Sequence, residues 1–154
     1  GLDTIRVLTN ATKYSSVIEK GIAQGKVNIV VSVDSGTRET FVKIKKHDFY
    51  DKVWENITRY ASVQKKSNLV KTKFILIPEV NSSQSEVYAW IQKSKDAGIR
   101  HVAYDIEWDW FKQNQNNIPD FIYDITRYIL DKVKENNLEI ELIDRGGLIA
   151  DKLK

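Results

Sequence analysis

Asn28-Ile-Val-Val-Ser-Val-Asp-Ser-Gly36 is the stretch on which the reading of this chain turns. Four of the residues from 29 to 33 are aliphatic, and the run then breaks into Asp34, Ser35 and Gly36. A continuous apolar run bounded by polar and glycine residues reads as a strand buried on both faces, as in a parallel α/β sheet. In such sheets ligands bind at the carboxyl ends of the strands. The stretch therefore predicts a fold and a candidate site together, with Ser32 and Asp34 at its tip.

Working outward, five apolar β-like runs recur: 4–8, 28–33, 72–77, 101–106 and 138–143. Helical segments separate them. Ser16-x-x-Glu19 has the form of a capping box, followed by Ile22 on the apolar face. A short helix is expected over 37–45, and Asp48 reads as the N-cap of a longer one with Phe49, Val53, Ile57 and Tyr60 at helical spacing. Ser83-x-x-Glu86 opens a further helix, and Gly98 suits its C-terminal cap. Pro119 fits the first position of a helix over 119–136. The tail from 144 to 154, with Gly146 and Gly147, is expected to be loosely ordered.

This alternation predicts right-handed βαβ crossovers and one α/β domain over 1–154 built on a parallel sheet of about five strands. It does not decide between a doubly wound sheet and part of a (β/α)₈ barrel. Composition narrows the function classes. The 154 residues contain no cysteine, which rules out disulfides and thiolate-ligated metal within this chain. His47 and His101 lack any neighbouring ligand pattern, so no metal site is expected. The net charge of +3 and the local lysines 43, 45, 46, 65 and 66 do not form a nucleic-acid stripe, and no apolar run is long enough for a membrane helix. A cytoplasmic protein is the expectation. With no methionine either, Gly1 is expected to mark a cloning scar or a cut inside a longer protein.

The strand ends bring together Thr9–Asn10, Ser32–Gly36, Pro78–Asn81, Asp105–Trp108 and Asp144–Arg145. Asp34 could accept hydrogen bonds from a ribose diol, Ser32 could contact a carboxylate or amine, and Arg38 could pair with an anion. Equally, Asp34 and Ser35 could cap the following helix. Asp105, Glu107 and Asp109 would face one way if extended, and paired carboxylates can run glycoside hydrolysis. Trp108, Trp110 and Phe111 read equally as packing anchors.

In order along the chain, these strand ends resemble the radical S-adenosylmethionine (radical SAM) superfamily. Arg6-Val-Leu-Thr-Asn-Ala11 is similar to the family's third strand, with Ala11 where glycine is usual. Val31-Ser-Val-Asp-Ser-Gly-Thr37 resembles the fourth, whose Ser-x-Asp neighbours the ribose and methionine parts of SAM. Ile75-Leu-Ile-Pro-Glu-Val-Asn-Ser82 is similar to the fifth, with Glu79 where glycine is common, and His101-Val-Ala-Tyr-Asp-Ile-Glu107 resembles the sixth. The resemblance covers about residues 4–143. The family's Cys-x-x-x-Cys-x-x-Cys loop and Gly-Gly-Glu-Pro segment have no counterpart in the chain.

The resemblance implies the C-terminal part of a radical SAM partial (β/α) barrel. The parent would be an enzyme holding a [4Fe–4S] cluster on upstream cysteines, cleaving SAM reductively and abstracting hydrogen from a small-molecule or peptide substrate, with a reductant protein as partner. It implies SAM-binding roles for Ser32, Asp34, Ile77 and Trp108, and substrate-side roles for Thr9, Asn10 and Glu107. This chain alone would bind neither cofactor tightly and would be inactive. A non-catalytic half-barrel binding module is the competing class. Self-association through open sheet edges is expected in either case.

Overall fold

A computed structural model describes residues 4–154. Five strands, β1 (Ile5–Thr9), β2 (Val27–Ser32), β3 (Val70–Leu76), β4 (His101–Ile106) and β5 (Glu139–Leu142), form one parallel sheet in sequential order. The connections carry α1 (Ser16–Ala23), α2 (Arg38–Lys45), α3 (Tyr50–Val63), α4 (Gln84–Asp96), α5 (Trp108–Asn114) and α6 (Asp120–Glu135), and α7 (Asp144–Asp151) follows the last strand. Sequential order is the barrel arrangement and excludes the strand reversal of a doubly wound sheet.

Burial alternates along β3 and separates the two faces of the sheet. Val70, Thr72, Phe74 and Leu76 are buried, and Lys71, Lys73 and Ile75 are half-buried. The buried set faces α4: the Trp90 indole N–H donates to Thr72 Oγ1 at 3.1 Å, and the Phe74 and Trp90 rings lie 4.9 Å apart. Ile29, Val31, Val102, Ile106, Ile57 and Ile129 belong to the same core. The lysines stand on the opposite face. There Lys71 donates to Glu141 of β5 at 2.7 Å, and Arg6 of β1 reaches the same carboxylate at 3.2 Å. In a flat sheet the edge strands would be about 19 Å apart, beyond the reach of these two side chains. The sheet is therefore curled, with the helices outside and the lysines on its concave side.

Several helix ends differ from expectation. Ser15, not Ser16, caps α1, its hydroxyl accepting from Ile18 N–H. Asp48 does not cap α3; it pairs with Arg38 at 3.0 Å, and Phe49 occupies the cap position without a side-chain bond. Pro119 is the N-cap of α6 and Asp120 the first helical residue. The segment expected to be loose is helix α7, because Arg145 and Gly146 both bind Asp105 at the end of β4.

Candidate functional site

The carboxyl ends of β2 and β3 are joined by buried side chains. Asp34 has a left-handed backbone (φ 55°) just beyond β2. One carboxylate oxygen accepts Ile75 N–H at 2.8 Å, and the other accepts Lys45 Nζ at 2.7 Å. The Asn81 amide donates to the carbonyls of Asp34 and Ile75, both at 2.8 Å, and its oxygen accepts Ile77 N–H at 2.7 Å. Glu86, buried at the start of α4, accepts the backbone N–H groups of Gly36 at 2.6 Å and Thr37 at 2.9 Å. A side chain on Gly36 would collide with the α4 backbone, its Cβ falling 2.1 Å from the Glu86 carbonyl oxygen. That contact accounts for the glycine. The Tyr50 hydroxyl donates to the Gly36 carbonyl at 2.7 Å, and burial beside Glu86 raises its pKa.

Neither sequence reading of Asp34 describes this geometry fully. Asp34 and Ser35 do not cap the next helix: Thr37 does, and the Ser35 hydroxyl turns back to the Val33 carbonyl. Both Asp34 oxygens have protein partners. Ser32 is different: it lies half-buried on the concave face, opposite Lys73 in the β2–β3 register, and its hydroxyl makes no hydrogen bond among the described residues. Ile77, half-buried, follows the end of β3.

At the end of β4 a second knot forms. Asp105, 1% exposed, pairs with Arg145 and accepts Ile106 N–H at 2.8 Å and Gly146 N–H at 3.2 Å. The Arg145 guanidinium lies 5.1 Å from the centre of the Trp108 ring, which is 55% exposed. Glu107 is the N-cap of α5, its oxygens accepting Asp109 N–H at 3.1 Å and Trp110 N–H at 2.7 Å. The three alternating acids thus do not line one extended face, since the strand stops at Ile106 and Asp109 is helical. This removes the pair of free carboxylates that glycoside hydrolysis requires.

Thr9 and Asn10 sit at the end of β1 in local turns, the Thr9 hydroxyl accepting Ala11 N–H and the Asn10 side chain accepting Thr12 N–H. Arg38, considered for an anionic ligand, pairs with Asp48 and Asp51. Sequence reasoning missed Lys45 and the role of Glu86, and it set Arg145 among the strand ends without its partner Asp105. For Glu86 the capping-box spacing was a true signal half-used: Ser83 caps α4, while the glutamate leaves its own helix for the β2 loop.

No protein-family model matches the chain, and no curated protein aligns with it significantly. Among solved structures, a radical SAM methyltransferase from Sphaerobacter thermophilus superposes with a TM-score of 0.58 at 12% identity, over 90% of this chain and 40% of that one. Over that portion the two chains share a fold. It spans about two fifths of that neighbour's length.

Proposed function

We propose that this chain contributes part of the SAM and substrate site of a radical SAM enzyme. The observation carrying this reading is the Ser32 hydroxyl, without a hydrogen-bond partner among the described residues on the concave face at the end of β2, in a sheet with the neighbour's fold. Ser32 would receive the amino-acid part of SAM, with Ile77 and the exposed ring of Trp108 toward the base. Asp34 would act by holding the loop, because both its oxygens are engaged. Thr9, Asn10 and Glu107 would border the substrate side. Bound SAM with a [4Fe–4S] cluster would supply the radical chemistry. The residues here do not fit the cluster, since the chain has no cysteine, so its thiolate ligands would come from elsewhere.

The protein's part is then to position the cofactor and exclude water on the concave side. Anaerobic iron–sulfur reconstitution is expected to yield neither cluster nor methionine from SAM. In NMR titrations, S-adenosylhomocysteine should bind weakly and shift the amides of Ser32, Ile77 and Trp108. Shifts confined to the convex side would overturn the reading.

A non-catalytic half-barrel is the second reading, favoured by the engagement of Asp34, Asp105 and Glu107 in structural bonds. Sequencing the coding region upstream of Gly1 separates the two. A Cys-x-x-x-Cys-x-x-Cys segment there supports the enzyme, and its absence supports the module.

A further inference from the structure

Lys71 and Lys73 share the concave face, yet their surroundings differ. Lys71 is neutralised by Glu141, which also takes Arg6. Beyond the end of β2 Asp34 is matched by Lys45 of α2, and at the end of β4 Asp105 is matched by Arg145. Lys73 has no acid within 4.0 Å among the described residues, although it is half-buried in the central strand. Its register neighbours are Ser32 on β2 and Ala103 on β4, two small side chains that leave space around its stem. The Lys73 carbonyl accepts both Val33 N–H at 3.1 Å and Asp34 N–H at 3.3 Å, which fixes this residue against the β2 strand end. A lysine ammonium without a counter-charge, beside a hydroxyl without a partner among the described residues, has an anion as its natural complement.

From this juxtaposition we infer that Lys73, with the Ser32 hydroxyl beside it, anchors an anionic group, carboxylate or phosphate, of the ligand that occupies the concave face. The inference shares with the proposed function the assignment of that face to ligand. The anion has two possible sources, the carboxylate of the cofactor or an acidic group on the substrate.

The test is NMR titration of the folded chain at constant ionic strength with inorganic phosphate, S-adenosylhomocysteine and 5′-methylthioadenosine, which lacks the amino-acid part. Saturable phosphate shifts at Ser32, Lys73 and Ala103 are expected. Lys73→Gln should weaken them about tenfold or more, and Lys73→Arg should restore them, as for one charge-assisted hydrogen bond. Lys43→Gln, on the exposed side of α2, should leave them unchanged. A preference for S-adenosylhomocysteine over 5′-methylthioadenosine that disappears in Lys73→Gln assigns the anion to the cofactor. Equal nucleoside binding with Lys73-dependent phosphate binding assigns it to the substrate. Phosphate shifts indifferent to Lys73→Gln, or absent, overturn the inference. If 5′-methylthioadenosine still binds in that case, the cofactor reading stands. If neither nucleoside binds while phosphate does, the cofactor reading falls and the lysine site stands. Should Lys73→Gln fail to fold, Lys73→Arg and Ser32→Ala carry the test: unchanged phosphate affinity in Ser32→Ala together with lost affinity in Lys73→Arg counts against the anchor.

Discussion

Arg6 on β1 and Glu141 on β5 stand on opposite edges of the sheet, and their side chains meet at 3.2 Å across its concave side. Lys71 on the central strand binds the other oxygen of Glu141. One carboxylate thus gathers cations from the first and third strands and holds the curl. Glu141 is depressed below the usual carboxylate range, chiefly by the hydrogen bond from Lys71.

His101 stands beside Lys71 in the β3–β4 register, and its pKa is lowered by burial and by that lysine. Both groups bind protons more readily in the unfolded chain, so both make stability fall with falling pH. The His101 contribution is full above its unfolded value near 6.5 and declines below it. That of Glu141 begins to decline near 4.5 and is gone below its lower folded value. Thermal melts from pH 7.5 to 3 should show two steps of loss. His101→Gln should remove the upper step, and Glu141→Gln the lower one. A single step that persists in both variants would contradict this.

Arg145→Ala leaves the Asp105 carboxylate buried without its cation, a change that costs about 3–5 kcal/mol. Chemical denaturation should register the loss, and hydrogen exchange should show α7 released from β4. The double variant Asp105→Asn, Arg145→Gln should recover part of the stability, because the charge is removed as well as its partner.

Asn81→Ala opens three hydrogen bonds at once and strands the carbonyls of Asp34 and Ile75. At about 1 kcal/mol for each bond, a destabilisation of roughly 3 kcal/mol is expected in urea titrations. Asn81→Asp should fare no better, since it offers an acceptor where two donors are needed.

Glu79 has φ 69° and Ala11 φ 55°, left-handed conformations at two positions where the radical SAM resemblance would place glycine. Such a backbone costs a non-glycine residue about 1 kcal/mol, partly offset by the greater freedom of glycine in the unfolded chain. Glu79 is exposed, so Glu79→Gly should stabilise by about 0.5 kcal/mol and Glu79→Val should destabilise. Ala11 is 1% exposed, and Ala11→Gly should gain less because it also removes a buried methyl group. Paired thermal melts of the three variants check the order.

The free edge of β1 carries Ile5 at 64% and Leu8 at 71% exposure, while Arg6 is drawn inward to Glu141. An uncharged, apolar edge invites pairing. Sedimentation velocity should show mass rising with concentration, and Leu8→Lys should return the chain to a monomer.

The strands were legible because each is an apolar run, and periodicity needs no knowledge of distant residues. The run at 101–106 coincides with β4, and the others match to within two residues at either end. The site was legible only as a set of tips. What each tip does depends on partners far along the chain, 50 residues from Gly36 to Glu86 and 40 from Asp105 to Arg145. Local patterns could not supply those pairings, so Glu86 and Asp48 read as helix caps and α7 as a tail. Glu107 is the opposite case: an acid that sequence set among candidate ligands serves its own helix.

Asp34 touches the amide of Ile75 on β3 and the ammonium at the end of α2, while its own carbonyl is held by Asn81 from the loop before α4. It therefore registers three separate pieces of chain through one residue. The tip beside Ser32 has its shape only with all three docked, so the face proposed for ligand depends on contacts far apart in the sequence. A chain stalled with only its first two strands paired would present the Ser-x-Asp sequence without the surface.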